Sequence, residues 1–550
     1  MKKAKYILFA LIAVFIASCS EDIFDQKNLF EKDLSSYYRN ARDVDEALIG
    51  AYSTLALDEG IGHPILIANL KSDDAFAGGG TNDIEANAID QFINPKEDIF
   101  KAIYDRSYQG IFRINTLLKN FNTAAFEDST TKYTKLGEAH FLRGYLYFRL
   151  AQVFGEVPLD LNPELEYLPK ATADEIYAQI ASDLSVAIEK LPAVPFASMN
   201  PAENGRATKW AAESMMARVY MFYTGFYQKP DLPLVDGGSV TKEQVVTWLE
   251  DVINNSGHTL LPDFRSIWPF SFLGDEGIDD KYPFAANVKF AGDGSAETVF
   301  AVKYSNQGIW GTTGRLAYSN QMSLYTSIRG KDYPPFGSGW GIGNVNPQLL
   351  NVYETGDIRK ESTVINQAID ISGYEWNKDN NNFETGLYNK KYNAVLVTRD
   401  GQTMGMYYHL YSGQNQNNQL WNMQDDIIIR FSDVLLMAAE LGSNSQAYLD
   451  RVRARAFAPA QAPALTYSLE NLKQERRREL ALEGIRYYDL LRWGDAQAAI
   501  NSANNTVDVR TAGVPTKYTV SFDPARAFSP LPESQIRVSQ GKLLQNPAWQ

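Results

Sequence analysis

Apolar positions along this chain follow one rhythm at its two ends and another in its middle. From residue 37 to 260 they recur three and four apart, the spacing of one face of a helix. Residues 132–154 are the clearest case. Leu136, Ala139, Leu142, Leu146 and Leu150 form a stripe, and Tyr145, Tyr147 and Phe148 crowd the other sides. A helix apolar on most sides is buried on most sides. Gly155 is placed to end it, with Pro158 just beyond. The same spacing predicts a helix capped by Asp43 and running through Leu48 and Tyr52 to Leu57. Another opens at Asp98 and carries Ile103, Ile111, Ile114, Leu117 and Leu118. Thr172-Ala173-Asp174-Glu175 and Thr241-Lys242-Glu243-Gln244 read as capping boxes, in which hydroxyl and carboxylate or amide satisfy each other's backbone N–H. The first of these helices runs to Lys190, before Pro192. Thr208 begins another, up to Tyr223.

Between 261 and 424 the rhythm breaks. Gly, Asn, Asp, Pro and aromatic residues replace the helix formers, and the candidate strands, 297–304 and 394–399, are short. Helical spacing returns near Ile427 and predicts helices over 432–441, 445–456 and 468–493. The expected fold is mainly α. Helix pairs similar to tetratricopeptide units form the scaffold (37–260 and 425–550), and the loop-rich insert of 261–424 is the place to look for a site, because binding residues tend to sit on loops held by a rigid frame.

The N-terminus has its own pattern. Lys2, Lys3 and Lys5 precede an apolar run over 6–17, then Ser18-Cys19. That describes a secretory signal over 1–18, too short to anchor a chain across a bilayer. Ile16-Ala17-Ser18-Cys19 resembles the lipobox of bacterial lipoproteins, which implies cleavage before Cys19 and a lipid on its thiol. Cys19 is the sole cysteine, so no internal disulfide is possible. Residues 19–36 then read as a lipidated tether.

Composition narrows the classes further. With 550 residues, 45% hydrophobic and 21% charged, the chain is neither disordered nor polytopic in the membrane. Acidic residues outnumber basic ones, 66 to 52, and a net charge of −14 repels a phosphate backbone, so nucleic acid is not an expected partner. Four histidines without metal-like spacing and one thiol leave no expected metal, cofactor or catalytic centre. Asn377-Lys378-Asp379-Asn380-Asn381-Asn382 has the alternating oxygens of a calcium loop. However, Asn382 stands where such a loop needs Gly and Tyr388 where it needs Glu, so it reads as an Asn-rich turn.

Residues 475–496, Glu475-Arg476-Arg477-Arg478-Glu479-Leu480-Ala481-Leu482-Glu483-Gly484-Ile485-Arg486-Tyr487-Tyr488-Asp489-Leu490-Leu491-Arg492-Trp493-Gly494-Asp495-Ala496, closely resemble the signature of the SusD/RagB family of outer-membrane nutrient-binding lipoproteins. Other landmarks agree in order. They are Glu138 to Tyr145 with Phe154-Gly155-Glu156-Val157-Pro158-Leu159, then Arg430 to Glu440 with Leu449 to Ala456, then Pro530 to Ile536 and Gln545-Asn546-Pro547. Read as one helix, the signature places Leu480, Gly484, Tyr487 and Leu491 on one face. Its charges form a ladder, Glu483–Arg486, Arg486–Asp489 and Asp489–Arg492, with a structural role.

The resemblance implies a SusD-like fold and a non-enzymatic surface protein of the outer membrane, facing the cell exterior. Such a protein would bind oligosaccharide or polysaccharide and deliver it to a SusC-like TonB-dependent transporter. The alternative is capture of peptide or another non-sugar nutrient by the same lid. Sugar binding needs flat aromatic faces and hydrogen-bonding polar groups. Two segments carry both. One is 69–83, with Asp73, Asp74, Gly78, Gly79, Gly80 and Asn82. The other is 304–340, with Trp310, Arg315, Tyr318 and Trp340; Trp376 follows as a third choice. His140, on a helix apolar on most sides, is expected to be a satisfied core histidine.

Overall fold

Asn40, not Asp43, starts the first helix. In the computed structural model, Asn40 has the extended backbone a cap requires (φ −151°, ψ 175°), and its side chain accepts from the amides of Arg42 and Asp43. Asp43 reaches back to the amide of Arg39 at 2.9 Å. The structure describes residues 37–550 apart from 58, 96–97, 165, 275–287, 307, 312–313, 378–379, 400, 411–419 and 421. Helix α1 is Ala41–Tyr52, followed by α2 (Pro64–Leu70), α3 (Ile84–Asp90) and α4 (Lys101–Asn120). Asp98 does not cap α4. Its carboxylate accepts from the amides of Glu533 and Ser534, 3.0 and 3.1 Å away, at the start of a C-terminal helix far along the chain.

The long helices follow the sequence pattern closely. α5 (Ser129–Phe154) is capped by Asp128 and ends at Gly155, whose φ is +74°. A Cβ there would meet Phe528 Cδ2 at 2.8 Å. α6 (Ala173–Lys190) and α8 (Lys242–Asn255) both begin with the complete capping boxes. α7 (Lys209–Tyr227) is capped by Thr208 and runs beyond Tyr223. α5, α6, α7 and α8 pack each on the next, with Leu142, Leu146, Ile180, Leu184, Met215, Val219 and Leu249 sealed between them. The fold is mainly α, as expected, and among the described residues each sheet has only two strands.

Two of those sheets position the middle of the chain. β1 (Ala75–Gly78) pairs with β5 (Ile342–Val345), with Phe76 opposite Asn344 and Gly78 opposite Ile342. β2 (Thr298–Val302) pairs with β6 (Asp426–Arg430) and leads into α9 (Phe431–Glu440). Between them, β3 (Gly308–Gly311) and β4 (Gly314–Ala317) form a hairpin. β7 (Asp508–Thr511) and β8 (Val514–Lys517) form another near the C-terminus.

The signature segment is two helices, not one. After α10 (Ser445–Phe457), α11 (Leu469–Leu480) stops, and α12 (Arg486–Trp493) starts in a new direction. Leu482 and Gly484 have φ of +65° and +77°, and a Cβ on Gly484 would sit 2.9 Å from Ile65 Cα. Burial drives the break. The carbonyls freed at the end of α11 are taken by buried cations, Lys391 Nζ donating to Ala481 O at 2.8 Å and Arg430 to Glu479 O at 2.5 Å. Asn69 bonds both Leu482 O (2.9 Å) and Gly484 N (3.1 Å).

The single apolar face and most of the charge ladder are therefore corrected. Asp489–Arg492 forms at 2.8 Å. Glu483 instead meets Lys391 (2.6 Å) and Arg430 (2.8 Å), and Arg486 meets Asp73. Around the break lies a buried network of Arg359, Arg430, Arg453 and Arg455 with Glu297, Glu475 and Glu479. Burial alone would raise the Glu479 pKa, but Arg455, Arg430 and Arg359 outweigh burial and hold it low.

Candidate functional site

The β1–β5 pairing joins the two segments singled out in the sequence. Gly78-Gly79-Gly80 leaves β1 and passes so close to the chain at 341 that side chains are excluded. Gly78 has φ +64°, and a Cβ on it would lie 2.3 Å from Gly341 O. Gly79 N donates to Gly341 O at 2.7 Å. A Cβ on Gly80 would lie 2.4 Å from Arg329 Nη2. Arg329 links both segments, because its Nη1 donates to Asp83 Oδ2 (3.1 Å) and to Trp340 O (2.9 Å). Asp83 also accepts from Gly80 N at 2.6 Å.

This anchoring fixes Trp340 at the surface. Trp340 is 40% exposed, and its ring stands edge-on to the buried Tyr325, with centroids 5.1 Å apart and planes at 65°. Trp340 and Asn82, themselves exposed, border an open cleft of about 790 Å³. Ile84, 45% exposed, and Glu85 complete its rim. Four carboxylates line the cleft. Glu59 is paired with Arg149, Asp83 with Arg329, and Asp98 caps the distant C-terminal helix; Glu85 remains. Sequence reasoning missed Arg329, and no local signal marks it.

Asp73 and Asp74 are not at this surface, which corrects their reading as ligand contacts. Asp73 pairs with Arg486 at 2.8 Å and Arg477 at 3.0 Å, and Asp74 pairs with Arg477 at 2.7 Å. Both are buried. Burial would raise the Asp73 pKa, but the two guanidinium groups override it and hold the carboxyl at about 2. These aspartates brace the glycine loop against the signature segment.

The other expected contacts are dispersed. Trp310 and Arg315 face each other in register on the β3–β4 hairpin, and their side chains lie outside the described residues. Tyr318 is half-buried against the core and offers its carbonyl to Ser305 N at 2.7 Å. Cys19 lies outside the described residues. Trp376 stands on a separate loop, organised by the buried carboxylate of Glu384. That carboxylate accepts from Tyr374 Oη (2.8 Å), Asn377 N (2.8 Å) and Asn381 Nδ2 (2.9 Å). These bonds account for the Asn-rich turn; residues 378–379 within it lie outside the described residues. Among the described residues no group of three or more His, Cys, Asp or Glu side chains is arranged to hold a metal. His140 is satisfied by Asp183, with Nδ1 2.7 Å from Oδ1.

Comparison with known proteins points one way. Residues 31–221 match a family model described as starch-binding, associating with the outer membrane, and residues 296–549 match that of the SusD family. A SusD-like protein of Formosa agariphila is 24% identical over 90% of this chain and 91% of its own length. Among solved structures, surface glycan-binding protein A from Bacteroides fluxus superposes with a TM-score of 0.71 at 23% identity, covering 92% of this chain and 99% of its own. Its counterpart from Bacteroides thetaiotaomicron, in complex with laminarihexaose, gives 0.71 at 20% identity, covering 92% and 99%. A laminarin-binding SusD-like protein gives 0.70 at 24% identity, covering 93% and 100%.

Proposed function

The chain belongs to the SusD family, and from that premise we propose that it binds a glycan at the outer membrane through the Trp340–Asn82 cleft. The observation that carries this reading is a rigidly held, exposed tryptophan beside an exposed amide in an open cleft. Leaving a large aromatic in water forgoes its burial on folding, and a ring locked by Tyr325 and by Arg329 at its carbonyl loses little entropy on stacking against a sugar. The indole N–H of Trp340 and the amide of Asn82 offer hydrogen bonds to hydroxyl groups. A solved relative that binds laminarin and another in complex with laminarihexaose make a β-glucan the first ligand to try.

Capture without chemistry fits the carboxylates of the cleft. A glycosidase needs two carboxyl groups across the scissile bond. Here Glu59, Asp83 and Asp98 each have an internal partner. Delivery to a SusC-like barrel, with this protein as a lid tethered through a lipid on Cys19, completes the reading.

The test is titration calorimetry of residues 20–550 with laminarin, other polysaccharides and a peptide digest, alongside an assay for new reducing ends. A saturable glycan signal without reducing-end release is expected. Trp340→Ala is expected to weaken it at least about tenfold, which corresponds to roughly 1.4 kcal/mol. Unchanged affinity in that variant would remove the cleft from the proposal. Binding of peptides alone would point to the non-sugar alternative.

A further inference from the structure

A second exposed tryptophan lies across the glycine loop from the first. Trp376 is 38% exposed. Its ring meets Tyr374 edge-on, centroids 5.2 Å apart at 84°, and the Arg510 guanidinium lies over it at 4.6 Å. Tyr374 is fixed in turn through its hydroxyl, bonded to Glu384 at 2.8 Å and Tyr388 at 2.6 Å. Trp376 is therefore a preorganised face, not a loose surface residue. Among the described residues, neither its indole N–H nor the Arg510 guanidinium has a hydrogen-bond partner.

The backbone connects this face to the Trp340 cleft. Gly341 O accepts from Gly79 N at 2.7 Å, Gly79 O from Asn382 N at 2.8 Å, and Asn381 O from Ala512 N at 2.9 Å. Four chain segments thus lie side by side, with Trp340 next to the first and Arg510 next to the last. At about 4.8 Å per step, the two edges are on the order of 15 Å apart. A single monosaccharide cannot touch both edges, and an extended chain can.

We propose that Trp376 and Arg510 form a second glycan subsite, so that the protein grips an extended neutral polysaccharide across the glycine loop. The inference rests on the glycan-binding reading of the Trp340 cleft. It adds that ligand length is selected, because a second stacking contact is available only to a chain long enough to reach it. Arg510 donates to hydroxyls there and keeps the ring in place.

Calorimetry with laminaritriose and laminarin tests it. The wild-type chain should bind laminarin more tightly than the trisaccharide. Trp376→Ala should lower laminarin affinity at least fivefold and leave its melting temperature unchanged, and Trp376→Phe, which keeps a flat face, should restore most of the binding. Trp340→Ala should weaken laminarin binding as well. Full laminarin affinity in Trp376→Ala, with loss in Trp340→Ala, overturns the second subsite and leaves the first standing. Full affinity in both variants, or no binding by the wild-type chain of laminarin or of any other polysaccharide tried, overturns both.

Discussion

Asp90 is fully buried at the end of α3, directly beneath β1. Its carboxylate accepts from Tyr518 Oη at 2.7 Å and Gln91 Nε2 at 2.9 Å, and from the backbone of Ala77. The Tyr518 ring stacks on Phe76 of β1, centroids 3.9 Å apart. Burial pushes the Asp90 pKa up to about 7, more than these hydrogen bonds offset. The folded chain therefore holds a proton that the unfolded chain releases near pH 4, and this contribution to stability is lost as pH rises toward 7. Asp90→Asn cannot titrate. Denaturant melts should show its stability relative to wild type rising by on the order of 3 kcal/mol between pH 4.5 and 7.5; a pH-independent difference would count against the assignment. Asp73 shows the opposite shift at the same scale. Its neighbours looked like a ligand-binding loop because nothing within ten residues reveals Arg477 and Arg486. Asn82, nine residues further on, stays exposed.

At the scale of elements, the site depends on where β1 ends. Gly78 combines a positive φ with a backbone oxygen where a Cβ would go, whereas Gly237, φ +88°, sits in a turn with nothing within 4 Å. Gly237→Ala should cost only about 1 kcal/mol of conformational strain. Gly78→Ala should cost more, by separating β1 from β5, and should also weaken glycan binding, because Arg329 would lose its grip on Asp83 and Trp340. Equal melting temperatures for the two variants would show that the close approach is not needed. The helices were easier to read. Thr172, Thr208 and Thr241 cap within three residues of themselves, so a short window of sequence contains the whole interaction. Asp43 and Asp98 misled because an acid near a helix start has other amides within reach. The kink at Leu482–Gly484 was invisible because Lys391, Arg430 and Asn69, which hold it, come from three other parts of the chain.

Across the whole molecule, the buried ion network ties the loop-rich region to the C-terminal helices. Glu297 and Glu479, far apart in sequence, share Arg430 and Arg455. Removing one anion from such a cluster leaves buried guanidinium charge uncompensated. Glu479→Gln should lose about 3–5 kcal/mol. Glu297→Gln and Glu479→Gln combined should deviate from additivity by about 0.5–3 kcal/mol in a double-mutant cycle. Strict additivity would mean that the two carboxylates act independently. At the other extreme of the chain, the proposed anchor makes a cellular prediction. Cys19→Ala should abolish surface display without changing the melting temperature of the folded body, as protease shaving of intact cells can show. Normal display would exclude lipidation at Cys19.

By itself the sequence determined the helical scaffold, the caps at Thr172, Thr208 and Thr241 and the family, and it singled out two of the segments that border the cleft. The scaffold and these caps rest on periodicity and on hydrogen bonds between neighbours, which any short window contains, whereas the family rests on the resemblance of ordered motifs such as residues 475–496. Only the tertiary structure decided which charged residues are buried in ion pairs and which border the cleft. Arg329 reaches Asp83 across 246 positions, and Arg486 reaches Asp73 across 413. A carboxylate in a loop looks the same in sequence whether water or a guanidinium satisfies it. The difference arises when β1 pairs with β5 and the signature segment bends over Ile65, drawing Asp73 and Asp74 inward and leaving Asn82 and Trp340 outside.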